Sequence, residues 1–171
     1  MKMALFVLVA LAALLLLGAA WMGAFHRVEV AERDCGPFTF VYLPIAAGEM
    51  GQVGAITTRI DAALEAAGVR ARKPLDVFYP DGTGEIGFAV EGTTPAQLAA
   101  LPDKTADRTI PAQRCMAVEF PWRNRLSFMV GYVKVDPALA AWRAAHGYRK
   151  VEAMALNDGG TILYLQPIVR Q

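Results

Sequence analysis

Only two cysteines and two histidines occur in the chain, Cys35, Cys115, His26 and His146, and they do not have the spacing of a zinc ligand set. No metal centre is expected from them, and nothing else in the sequence asks for a cofactor. An excess of charge of one sign is also missing: 17 Lys+Arg stand against 16 Asp+Glu, a formal net charge of +1. That balance supplies neither the basic field of a nucleic-acid binder nor the acidic excess of a solvating tail. With no helix-turn-helix pattern ahead of the globular region, no nucleic-acid partner is expected. No Ser-His-Asp, Cys-His or paired-carboxylate set can be assembled, so no catalytic residue is assigned. The cysteines leave two states open: a pair in an oxidising compartment, or buried thiols in a reducing one.

Apolar residues are what the chain has in quantity, at 55 % of 171 positions with a mean hydropathy of +0.32. Much of the excess lies at the start. Met3 to Phe25 carries no charge, and at 1.5 Å per helical residue it would reach roughly 34 Å against a hydrocarbon core of about 30 Å. This predicts an N-terminal transmembrane helix within residues 1–27, with Trp21 and Phe25 at the interface. A cleavable signal peptide is the alternative, since Lys2 makes a minimal basic region and Gly18-Ala19-Ala20 offers small residues for cleavage. Lys2 favours an inner amino terminus, whereas Arg27 and Arg33 argue the other way. The expectation adopted is a single-pass protein of the cell (inner) membrane, with its domain on the non-cytoplasmic side.

Residues 28–171 read as one domain in two similar halves, approximately 36–92 and 112–168. Thr39 to Leu43 is a β-rich run stopped by Pro44, and Met116 to Phe120 is another stopped by Pro121. At the same spacing, Asp81-Gly82-Thr83-Gly84 recurs as Asp158-Gly159-Gly160-Thr161, each before an apolar run. A helix is expected between strand and hairpin in each half. In the first, Val53, Ile56, Ile60, Leu64 and Ala67 form one stripe and Gly68 caps it. In the second, Phe128, Gly131, Val135, Leu139 and Trp142 continue the same period to Gly147. Asp136-Pro137 predicts a break or restart there, and Leu126 to Val135 stays open between helix and strand. Gly92 to Ala112 reads as a connector with a short helix from Pro95 to Leu101.

The stretch Ser127-Phe128-Met129-Val130-Gly131-Tyr132-Val133-Lys134-Val135-Asp136-Pro137-Ala138-Leu139, with His146-Gly147-Tyr148 and Tyr164-Leu165-Gln166-Pro167-Ile168, resembles the GyrI-like, SOUL-related effector-binding domains, and in particular their membrane-anchored branch. Gly36-Pro37-Phe38-Thr39 and Glu85-Ile86-Gly87-Phe88-Ala89-Val90 agree with it in the first half. The resemblance spans approximately Val28 to Ile168. It implies an α+β fold: a duplicated β-α-β-β unit with a curved antiparallel sheet, two main helices and a cleft at the pseudo-twofold axis. Family members hold bulky aromatic or cationic molecules there, some related proteins bind haem, and some hydrolyse cyclopropane-containing compounds. Those that bind cations or catalyse place a Glu in the last strand, yet Thr161-Ile162-Leu163-Tyr164-Leu165-Gln166-Pro167 contains no carboxylate.

The candidate ligand-binding residues are Tyr42, Tyr79, Glu119, Trp122, Tyr132, Trp142 and Tyr164. The aromatics offer apolar area with one polar handle each. Glu119 lies between Val118 and Phe120, so alternation turns it away from both. Facing a cleft it would have a raised pKa and act as acid or base; facing water it is a polar surface residue. Glu85 is read as a hairpin-end charge, Lys134 as a solvated charge, and His146 as a helix C-terminal cation. The expected function is a membrane-tethered module binding a small apolar or aromatic ligand without catalysis. The alternatives are a scaffold whose degenerate pocket meets a membrane or envelope protein, or a Glu-dependent hydrolase.

Overall fold

The computed structural model describes residues 2–102 and 104–170. Its elements run α1 (Lys2–Trp21), β1 (Ala31–Cys35), β2 (Phe38–Ile45), a 3-10 turn (Met50–Gln52), α2 (Val53–Ala66), β3 (Arg72–Phe78), β4 (Gly84–Val90), α3 (Pro95–Ala99), β5 (Ala106–Ile110), β6 (Gln113–Pro121), α4 (Arg125–His146), β7 (Ala153–Asp158) and β8 (Thr161–Pro167). All eight strands form one antiparallel sheet in the order β1-β6-β8-β7-β3-β4-β2-β5.

That order repeats about its centre. Each half supplies strand, helix and hairpin, β2-α2-β3-β4 and β6-α4-β7-β8, and the halves meet where β3 pairs with β7. The ladders carry one half onto the other without slippage. Matching Pro44 to Pro121 sends Glu85, opposite Pro44, onto Thr161, opposite Pro121, and Val77, opposite Glu85, onto Asp158. The spacing seen in the first strands therefore does not hold throughout, because α4 is longer than α2 and the β7–β8 turn is shorter than the β3–β4 turn. The outer strands are exchanged between halves: β1 pairs with β6, and β5 with β2. Sequence had placed β5 in the connector. Its short, charge-rich run Ala106-Asp107-Arg108-Thr109-Ile110 hides an edge strand that buries little beyond Ile110.

Alternation explains the two faces. One buries Cys35, Phe40, Leu75, Val77, Ala89, Ile110, Ala117, Met154 and Leu165 in a cluster fed by all eight strands and by no helix, so the sheet must curl to shield it. Cys35 and Cys115 are disulfide-bonded in this cluster, with Cα atoms 6.0 Å apart. Gly87 lets β4 bend into β2, since a Cβ there would come within 1.9 Å of the Val41 carbonyl oxygen. The opposite face takes the helices: Ile60 and Leu64 of α2 over Val41, Leu43 and Phe88, and Val135 and Leu139 of α4 over Met116, Val118 and Phe120.

α4 is one continuous helix, correcting the expected break at Pro137. Pro137 lies on its solvent side, where the carbonyl freed by the missing amide can tilt toward water. Asn124 and Ser127 form a capping box at its start, with Asn124 Oδ1 accepting from the Leu126 and Ser127 amides at 2.9 and 3.0 Å, and Gly147 ends it.

The expected membrane anchor is overturned. Among the described residues no helix is long and apolar enough to cross a membrane, so the transmembrane span over Met3 to Phe25 and the single-pass membrane location are both withdrawn. α1 stops at Trp21, because Gly23 takes a left-handed conformation (φ 88°) and Lys134 of α4 donates to the carbonyls of Ala24 and His26, both at 2.6 Å. The helical part of the apolar run therefore ends four residues before Phe25. Its large side chains are exposed along its whole length.

Candidate functional site: a cleft between the two helices

α2 and α4 cover the outer strands of their halves and leave the centre of the sheet uncovered. The residues that point there from β3 are Pro74, Asp76 and Phe78, and from β7 Ala155 and Asn157. They floor a cleft of about 470 Å³. Val53, Gly54 and Thr57 of α2 make one wall and Phe128 and Met129 of α4 the other, with Met50 and Trp122 at the rim. The volume suits a drug-sized ligand.

Among the described residues Asp76 is the one charged group lining this cleft. It sits between Leu75 and Val77, which point into the buried cluster on the other face. Among the described residues no cation reaches it, and the loss of water around its carboxyl pushes the pKa up to about 7, opposed only by the Gly87 backbone amide. The register that matches the halves carries Asp76, opposite Ile86, onto Asn157, opposite Ile162. The two halves thus place an acid and its uncharged isostere at related positions of one floor. Sequence reasoning passed over Asp76, although one signal was present: a lone carboxylate between Leu75 and Val77, which alternation turns to the face opposite those two aliphatics.

The sequence-derived candidates scatter. Trp122 lines the cleft. Tyr164 is buried beneath α4 and donates to the Phe128 carbonyl at 3.1 Å, behind the cleft wall; burial holds its phenol far above the usual tyrosine value. This contact needs Gly131, where a Cβ would meet Tyr164 Oη at 2.6 Å. Tyr42 and Tyr79 are on the other face of the sheet with Arg108. Arg108 bonds Glu85 Oε2 through Nε and Nη2 at 3.0 and 2.8 Å, and Nη2 reaches Tyr79 Oη at 3.3 Å. Its guanidinium also lies 5.6 and 5.9 Å from the Phe40 and Tyr42 ring centroids. Glu119 is exposed and paired with Arg33 Nη1 at 2.9 Å. Tyr132 is exposed on α4, and Trp142 stacks on His146 toward the far end of that helix. Lys134 proves to be bonded to α1's exit, and Glu85 to be an enclosed partner of Arg108.

A second, shallower groove of about 590 Å³ shares Thr57, Thr58 and Pro74 with the cleft and runs toward Arg70 and Arg72. It offers little free charge, since Arg72 is held by Asp61 at 2.6 Å and Glu65 at 2.9 Å, and Arg70 by Glu65. Among the described residues no cluster of His, Cys, Asp and Glu could hold a metal ion.

A curled eight-stranded antiparallel sheet of two β-α-β-β units, two helices on one face and a cleft between them, agrees with the fold that the resemblance to GyrI-like domains implied. No family profile matches the chain, and no curated protein matches it in sequence. Solved structures do match. The EcmrR C-terminal domain superimposes with a TM-score of 0.64 at 13% identity, covering 84% of this chain and 99% of that one. The structure of SAV2435 bound to tetraphenylphosphonium gives 0.60 at 15%, covering 82% and 94%. A hydrolase from Listeria innocua gives 0.51 at 11%, covering 82% and 92%. At these identities the likeness establishes the fold. The proposed membrane-anchored branch of the family finds no support in it.

Proposed function

We propose that residues 28–171, with halves 36–92 and 112–168, act as a small-molecule-binding unit whose cleft takes a bulky apolar or aromatic ligand bearing one positive charge, without catalysis. The observation that carries this reading is the lone Asp76 carboxyl on the floor of an otherwise uncharged, mostly apolar cleft. A half-buried carboxyl without a cation costs folding free energy, which a structure retains more readily when a ligand supplies that cation. Trp122 and Phe128 provide aromatic walls, and Asn157 and Thr57 polar contacts that fix orientation. The neighbour with bound tetraphenylphosphonium supports this ligand class by analogy of fold.

A thermal-shift screen of the full chain against hydrophobic amines, quaternary cations, neutral aromatics, haem and lipids tests it. A ligand that binds only the native state at 100 times its Kd adds about 2.7 kcal/mol. Cationic aromatics are expected to raise the melting temperature, and Asp76→Ala to remove most of that rise. A screen in which no aromatic compound shifts the transition refutes the reading.

A further inference from the structure

Among the described residues the cleft offers a cation one partner, which no other charge neutralises. We propose that the site is an exchanger: a cation enters the cleft as the proton of the Asp76 carboxyl leaves it, one for one, so that ligand affinity is set by pH. This rests on the cleft reading given above. In the exchange the O–H bond of the neutral Asp76 carboxyl breaks, its proton goes to solvent, and the carboxylate left behind pairs with the ligand's charge. No redox or covalent step is involved.

Geometry isolates this group. On the cleft side its cross-strand neighbours are Ile86 and Ala155, neither of which titrates. From α2 the closest acids are Asp61 and Glu65, both engaged by Arg72, which stands two pleats along β3. Glu49, ahead of the 3-10 turn, bonds the Ala46 amide at 3.4 Å, and Asp158, beyond Asn157, pairs with Lys73 at 3.0 Å. Glu85 of β4 lies on the other face with Arg108. From α4 Lys134 is spent on the Ala24 and His26 carbonyls, and from β8 Tyr164 on the Phe128 carbonyl. Each of these groups has its own partner, so the state of Asp76 answers to solvent protons and to whatever occupies the cleft. The related Asn157 makes the count one: with an acid at both positions, mutual repulsion would keep one proton in place at neutral pH.

Calorimetry of the full chain with tetraphenylphosphonium, in two buffers of different ionisation enthalpy, measures the protons released. With half-titration near pH 7, about 0.9 proton should leave per cation bound at pH 6 and almost none at pH 8.5, and affinity should rise about tenfold from pH 5 to pH 6. Asp76→Asn should abolish both the proton release and the pH dependence while still binding neutral N-phenyl-1-naphthylamine. Cation binding without proton release, pH dependence that survives in Asp76→Asn, or binding of the neutral probe alone each overturns the exchange and leaves an apolar cleft standing. Failure of both probes to bind at any pH overturns the cleft reading itself.

Discussion

Replacing Asp76 by asparagine should make the ligand-free protein more stable, increasingly so as pH rises. In the unfolded chain this carboxyl ionises near pH 4, whereas in the fold it holds its proton up to about 7. Between those values the folded state binds the extra proton, so wild-type stability must fall as pH rises, and it levels off above about 7 where both states are ionised. The separation corresponds to about 4 kcal/mol at full development, of which about 2 to 3 kcal/mol falls between pH 5 and pH 8. For a domain of this size that is roughly a 5 to 10 °C drop in Tm over that range, carried by the wild type and missing from Asp76→Asn. Other titrating groups move both proteins together, so the difference between the two melting curves isolates this one carboxyl. Circular dichroism melts at half-unit pH steps provide the measurement. Parallel wild-type and variant profiles would show that the carboxyl is solvated, and the account of the cleft floor would be wrong.

Gly131→Ala should destabilise the fold by about 1 to 3 kcal/mol, because the new methyl meets Tyr164 Oη and the Phe120 ring; Tyr164→Phe should rescue part of that loss in a double-mutant cycle read by denaturant unfolding. Arg108→Met leaves Glu85, whose side chain is 14% exposed, without its cation, and is expected to cost about 2 to 4 kcal/mol with no effect on ligand-induced thermal shifts. Glu119→Gln, by contrast, removes only an exposed ion pair and should change stability by less than about 1 kcal/mol and leave ligand binding untouched. Reducing the Cys35–Cys115 bond, which spans a sequence separation of 80, should lower stability by about 2 to 5 kcal/mol, seen as a lower Tm in dithiothreitol.

Much of the plan was legible in the chain because it is written in local periods. The stripe Ile56, Ile60, Leu64 before Gly68 is α2, the runs Thr39 to Leu43 and Met116 to Phe120 lie in β2 and β6, although β2 continues through Pro44 to Ile45, and the short helix at Pro95 appears as α3. α4 was half-legible: its β-branched residues compete with a helical stripe, and only packing against Met116 and Phe120 settles the contest in favour of a helix that carries Pro137 on its wet side. The anchor misled because apolar composition gives no end point, whereas the turn at Gly23 and the bonds from Lys134 come from residues more than a hundred positions apart.

The sequence by itself determined α2 and the strand alternation, since each depends on neighbours within one or two turns of chain. Only the tertiary structure decided the exchanged edge strands, the opposite fates of the aromatic candidates and the cleft. Which face of a strand is covered depends on what the rest of the sheet places above it, and this is why an aspartate between two buried aliphatics became the floor of a pocket while Glu119, in the same kind of setting, went to solvent.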